Sequence, residues 1–186
     1  FHKAVVGISP DNTQLIIYKK QKLWISLMKD GKWQKPKKLP KTINFGYYQR
    51  HASLTADGNT IFFSACNKGQ KENYDIFTST KDAEGKWTPA VSLGNVINSR
   101  GDEDSPEISP DGKVMYFASG GHTGMGGYDV FKTQFVNGTW TQPINLGYPI
   151  NTPADDIFYK WHPETGVAYF SSSRVEGLGK MDIYVV

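Results

Sequence analysis

Ser109-Pro110-Asp111-Gly112 runs directly into the apolar segment Val114-Met115-Tyr116-Phe117, and this pairing of turn and strand occurs four times in the chain. Its cognates are Ser9-Pro10-Asp11-Asn12 before Leu15 to Tyr18, Thr55-Ala56-Asp57-Gly58 before Ile61 to Phe63, and His162-Pro163-Glu164-Thr165-Gly166 before Val167 to Phe170. A second apolar segment follows each copy, as Lys22-Leu23-Trp24, Asp75-Ile76-Phe77, Asp129-Val130-Phe131 and Asp182-Ile183-Tyr184. Then come Gly31-Lys32-Trp33, Gly85-Lys86-Trp87 and Gly138-Thr139-Trp140, followed by Pro36, Pro89 and Pro143. The units close on Ile43-Asn44, Ile97-Asn98 and Ile150-Asn151; the Trp landmarks are 54 and 53 residues apart, and so are the Asn landmarks.

Four landmarks in one register define a repeat, and each repeat holds four strand-sized segments. Pro then Asp at the centre of a turn fits a type I turn, with Gly last to take whatever backbone twist is needed. Segments of four to six residues rich in Val, Ile, Tyr and Phe are too short for helices, and no window has a 3.6-residue apolar period. The pattern predicts an all-β protein: a β-propeller of about four blades, each of four antiparallel strands. Blade boundaries are expected at 1–47, 48–101, 102–154 and 155–186, the last lacking its outer strand. That phase implies a segment of a larger propeller of six or more blades, because an open strand edge invites misassociation. A four-bladed ring lacking one outer strand is the alternative.

Composition agrees with short strands and tight turns: of 186 residues, 13% are aromatic, 19 are Gly and 10 are Pro. No stretch approaches the roughly 18 apolar residues of a membrane helix. One cysteine, Cys66, excludes an internal disulfide and a multi-cysteine zinc site. The net charge of +3 hides an asymmetry: residues 1–54 carry 11 Lys/Arg against 2 Asp/Glu, and residues 55–186 carry 10 against 16. A uniformly basic nucleic-acid binder is not built this way, so no nucleic-acid partner is expected. Adjoining basic and acidic surfaces suit contact with other macromolecules.

The strings SPDGKVMYFASGG, GMGGYDVFKT, GTWTQPINLGYPINT and KMDIYVV resemble the PD-type (TolB-type, WD-repeat-like) propeller repeats of OmpA-like periplasmic envelope proteins of the Bacteroidota. The resemblance spans the chain and is strongest from Thr55 to Val186; the first blade departs, with Asn12 in place of Gly and no Asp in Lys22-Leu23-Trp24. It implies a periplasmic, outer-membrane-associated scaffold similar to the peptidoglycan-binding component of type IX secretion and gliding. The implied partners are other envelope proteins, and peptidoglycan through a domain outside this segment. The expected role is protein interaction without enzymatic activity. An envelope glycan-binding propeller is the alternative, and behind it a metal-dependent polysaccharide lyase using His51, Arg50 and an acidic rim.

Candidate residues follow from position in the repeat. Asp11, Asp57 and Asp111 are expected to cap their own turns. Asp75, Asp129 and Asp182, one per blade, read as hydrogen-bonding ties, since a catalyst needs a unique constellation and not a copy in each blade. No catalytic residue is assigned. Arg50, His51, Asp102, Glu103, Asp104, Asp155 and Asp156 lead into inner strands and are expected to form a partner-binding rim at the channel mouth. No cofactor is called for; Asp102 and Asp104 are the candidate Ca²⁺ ligands, although the EF-hand Gly and Glu are missing. Gly120 to Gly127 lacks the helix and Lys-Ser/Thr of a phosphate loop and reads as a mobile hairpin. The Trp residues recur at blade positions and read as packing, with Trp161 less regular.

Overall fold

The computed structural model describes residues 3–46, 48–66, 73–162 and 164–186. Pro163 of the fourth turn lies outside them. Among the described residues every regular element is a strand, and no helix is long and apolar enough to cross a membrane. The strands form four antiparallel sheets. Blade 1 holds Lys3–Ile8, Gln14–Lys19 and Lys22–Lys29, with the short Lys32–Trp33 and Lys37–Lys38 both pairing to Lys22–Lys29. Blade 2 holds Gln49–Leu54, Thr60–Cys66, Tyr74–Thr80 and Val91–Ser92. Blade 3 holds Glu103–Ile108, Val114–Ser119 and Asp129–Val136, flanked by Thr139–Trp140 and Ile144–Asn145. Blade 4 holds Asp156–His162, Val167–Ser172 and Asp182–Val185. The blades have the propeller arrangement, with the first strand of each on the inside.

The repeated turn explains its own sequence. Its last residue has positive φ in all four blades: 58° at Asn12, 63° at Gly58, 72° at Gly112 and 68° at Gly166. Gly takes this conformation at no steric cost, and Asn is among the few other residues that tolerate it, which accounts for the substitution in blade 1. Asp11 accepts from Thr13 N–H at 3.0 Å, Asp57 from Asn59 N–H at 3.0 Å, and Asp111 from Lys113 N–H at 3.1 Å. Each also accepts from the hydroxyl that opens its turn, Ser9, Thr55 or Ser109. These hydroxyl and amide donors hold all three carboxyls below the usual aspartate range.

The core lies between blades. Ile16, Leu23, Leu39 and Ile43 of blade 1 meet Leu54, Ile61, Phe63 and Phe77 of blade 2. Phe62, Ile76 and Ile97 then meet Ile108, Met115, Phe117 and Phe131 of blade 3, and Val130 meets Tyr159, Ala168 and Phe170 of blade 4. Phe62 and Phe63 are adjacent, so they point to opposite faces and serve different layers. A blade buried on both faces must be apolar at successive positions, and Thr60–Cys66 is so at Ile61-Phe62-Phe63.

The closing Asn of each unit ties the loop to the third strand. Asn44 accepts from Leu23 N–H at 2.9 Å and donates to Leu23 C=O at 3.0 Å. Asn98 does the same to Ile76 (2.7 and 3.0 Å), and Asn151 to Val130 (2.7 and 2.8 Å). All three are buried. A planar amide with one acceptor and two donors can serve both main-chain groups of one residue, which an ionised Asp, having no donor, cannot.

Replacing Asn98 by Ala leaves the buried N–H of Ile76 unpartnered and its C=O with the Leu93 N–H alone. The expected loss is about 1–3 kcal/mol in urea unfolding, with the denaturant slope unchanged. The turn aspartates, lowered in the folded state, contribute stability that is complete above the unfolded carboxylate pKa of roughly 4 and is lost as pH falls through their folded values. Unfolding midpoints should therefore stay level from neutrality to about pH 5 and drop below about pH 4. The Asp11→Asn/Asp57→Asn/Asp111→Asn variant should show a shallower acid limb.

Candidate functional site: a charged cluster at the channel mouth

Each inner strand carries a break in its pairing register: between Val5 and Gly7, Gln49 and Ala52, Asp104 and Glu107, and Ile157 and Lys160. An extra residue re-aims the side chains beside it. Ser105 (φ 52°) and Phe158 (φ 59°) sit at two of these breaks in the left-handed region. The result is that Arg50 and His51 of blade 2 face Asp104 of blade 3.

Asp104 is the centre of the cluster. It accepts from Arg50 Nη1 at 3.3 Å, lies 2.8 Å from His51 Nδ1, and accepts from Ser64 Oγ and from the Ser105 N–H. Burial alone would raise its carboxyl; His51, Ser64 and Arg50 outweigh that and hold it below the usual range. Arg50 stacks over the Tyr74 ring at 3.6 Å. Burial opposes its charge, but Asp104 more than compensates and raises the guanidinium pKa. Tyr128 donates its hydroxyl to Asp102 at 3.0 Å, and burial together with Asp102 pushes the phenol upward. His51 meets Phe158 of blade 4 edge-on across the channel, ring centroids 4.6 Å apart.

The seven residues expected on the rim divide into two groups. Arg50, His51, Asp102, Asp104 and Asp155 gather at the mouth, with Asp102 accepting from Tyr74 N–H at 2.9 Å and Asp155 from Tyr128 N–H at 3.0 Å. Those two carboxylates stitch each blade to the one before. Glu103 and Asp156 are not on a rim: both are fully buried. Glu103 accepts from Ser99 N–H and from the hydroxyls of Ser99 and Ser119, and burial raises its carboxyl despite them. Asp156 accepts from Thr152 N–H and Oγ1 and pairs with Arg174 at 3.0 Å. Alternation sends neighbours in a strand to opposite sides, so Asp155 reaches the mouth while Asp156 turns into the loop.

Asp102 and Asp104, the candidate Ca²⁺ ligands, take separate partners here: Tyr74 N–H and the Tyr128 hydroxyl for Asp102, and Arg50, His51 and Ser64 for Asp104. Among the described residues no group of three or more His, Cys, Asp or Glu is placed to hold a metal ion. Ser64, His51 and Asp104 are the residue types of a nucleophilic triad, but both Ser64 Oγ and His51 Nδ1 bond to Asp104 Oδ1. A triad has the imidazole between hydroxyl and carboxylate, and here the carboxylate is in the middle.

Of the recurring third-strand aspartates, Asp129 accepts from Met125 N–H and from Asn145 at 3.0 Å, and Asp182 accepts from Gly179 N–H at 2.9 Å. Asp75 is half-buried, its carboxyl raised by burial and by neighbouring Asp102. The Gly-rich hairpin of blade 3 is largely exposed, yet two of its glycines touch neighbouring backbone: a Cβ on Gly121 would lie 2.5 Å from Gly101 N, and one on Gly126 would lie 2.2 Å from Ala154 O. Two site residues escaped the sequence reading, Phe158 and Tyr128. Phe158 is a cognate of His51 and Ser105, and that chemical variation at one repeat position was the available signal.

No family model and no curated protein matches the chain. Solved structures do. A putative TolB from Agrobacterium tumefaciens is 18% identical, with a TM-score of 0.64 over 100% of this chain and 58% of that one. TolB from Acinetobacter baumannii is 14% identical, with a TM-score of 0.60 over 99% of this chain and 40% of that one. This chain thus spans about half the length of these two and shares their TolB-like β-propeller fold. A puromycin-hydrolyzing peptidase from Mycobacterium tuberculosis also matches, at 11% identity and a TM-score of 0.58, over 99% of this chain and 29% of that one. That match corrects the expectation that the chain is not an enzyme: the same fold occurs within a hydrolase, so fold gives no ground for excluding catalysis.

Asp104→Asn should cost about 2 kcal/mol in urea unfolding, less than the roughly 3–5 of a fully buried pair because Arg50 and His51 keep contact with water. Arg50→Leu should raise the Asp104 pKa toward its ordinary value. The stability lost on acidification through that group would then be smaller than in the parent, readable as a flatter midpoint-versus-pH curve.

Proposed function

We propose that this chain is the protein-interaction propeller of a periplasmic, outer-membrane-associated envelope scaffold of the OmpA-like kind, working in type IX secretion or gliding. The repeat strings from Ser109 to Val186 support the family part of this reading. Peptidoglycan would be held by another domain of the same protein. The interaction part rests on one observation. Lys29, Lys32, Lys35, Lys37, Lys38 and Lys41 are all exposed along the outer edge of blade 1, with Asp30 the one carboxylate among them. A strand edge lined with lysine resists pairing with other strands, and its field attracts an acidic protein surface.

Such an interface is steered by charge and weakens with salt. Photo-crosslinking residues at Lys35 and Lys38 in intact envelopes should capture one protein neighbour at both positions, and the same residue at Tyr169 should not. Reversing Lys32, Lys35, Lys37 and Lys38 to Glu should abolish that capture, and raising the ionic strength should reduce it. Absence of any protein adduct from the blade 1 edge would overturn the reading.

A further inference from the structure

A cavity of about 690 Å³ opens at the end of the channel where the repeated turns lie, between blades 3 and 4 with blade 1 as its far wall. The volume is in the range of small-ligand sites. What distinguishes it is where the repeat is broken. Trp161 pairs with Ala168 at the inner-strand position that holds Leu54 in blade 2 and Ile108 in blade 3. Those two are 2% and 3% exposed; Trp161 is 40% exposed and lines the cavity. One residue earlier, blades 1 and 2 carry Gly7 and Ser53, while blades 3 and 4 carry Glu107 and Lys160, paired at 2.6 Å. Lys132 replaces the Thr78 of blade 2 and sits 5.9 Å over the ring of Tyr116. His162 opens the fourth turn where Ser or Thr opens the others. Each of these departures lines the same cavity.

Residues that serve packing recur from blade to blade, and residues that serve a ligand need not. Trp161 and Tyr116 bring aromatic surface with a polar end, suited to the C–H face of a pyranose ring. A sugar hydroxyl both donates and accepts, so it can bridge a carboxylate and an ammonium held side by side, as Glu107 and Lys160 are, with charge-assisted bonds to each. Lys160 is paired with Glu107, and Asp111 and Glu164 in the lining offset Lys132, so the site offers no excess positive charge for an anion. The walls are side chains and turn ends, so an extended peptide finds no free strand edge to join.

We propose that this cavity is a saccharide-binding site for a neutral oligosaccharide, with Trp161 as the stacking platform and Glu107 and Lys160 as the hydroxyl-reading pair. It is separate from the lysine edge of blade 1, and the two readings fail independently.

Calorimetric titration of the full chain with cellotetraose, mannotetraose and N,N′-diacetylchitobiose tests the assignment. At least one should bind with single-site stoichiometry and a Kd in the range of roughly millimolar or tighter. Trp161→Ala should weaken it by about tenfold or more, Trp161→Tyr should restore most of it, and Glu107→Gln should also weaken it by about tenfold. Trp33→Ala, which removes an exposed indole elsewhere, and charge reversal of the blade 1 lysines should leave it unchanged. Circular dichroism establishes that each variant is folded. Binding by none of the three sugars, binding insensitive to Trp161→Ala in a folded variant, or preferential binding of a proline-rich peptide at Trp161 overturns the proposal.

Discussion

The side-chain amides of Asn44, Asn98 and Asn151 are what let a blade end. A propeller chain must leave the outer part of one sheet and cross to the inside of the next, and that crossing takes main-chain groups out of any ladder. By serving both the N–H and C=O of a third-strand residue, each Asn fixes the crossing loop against its own blade. The inner strand of the following blade then starts from a defined place. The Asp102 and Asp155 carboxylates act one step later, holding Tyr74 and Tyr128 of the preceding blade. Side-chain hydrogen bonding of main chain, more than any continuous sheet, passes the register along the chain.

With register fixed in this way, apolar packing follows as three layers between four sheets, and function is left to positions where cognates differ. Arg50 and Asp104 show how. They occupy the same place in adjacent blades, carry opposite charges, and meet because the inner strands run side by side. A repeat protein can place a charged pair on its axis by changing one residue in each of two copies. The fold needs no new loop for it.

The sequence made the strands, turns and blade spacing legible because those depend on local chemistry repeated several times: a positive-φ Gly or Asn, a turn-capping Asp, alternating apolar residues. It made the channel mouth only partly legible. Asp155 and Asp156 are indistinguishable as letters, and only the pleat of the strand decides that one reaches the mouth and the other is buried against Thr152 and Arg174. Glu103 is the same case. The pairing of His51 with Asp104 spans 53 residues and is offset by one from the repeat, because a bulge intervenes. Bulges of this kind leave no compositional trace.

The glycines of the blade 3 hairpin and its facing crossing loop and those of the outer turns have opposite meanings for how such a chain can be altered. Gly101, Gly121 and Gly126 lie where one backbone passes within contact distance of another. Gly31, Gly85 and Gly138 turn in open space, with nothing near the position of an added Cβ. Length can therefore grow at the rim without disturbing the axis. Whatever diversity a lineage of such propellers accumulates, or an engineer grafts onto one, belongs at those outer turns, while the blade 3 hairpin has no room for a side chain at Gly121 or Gly126.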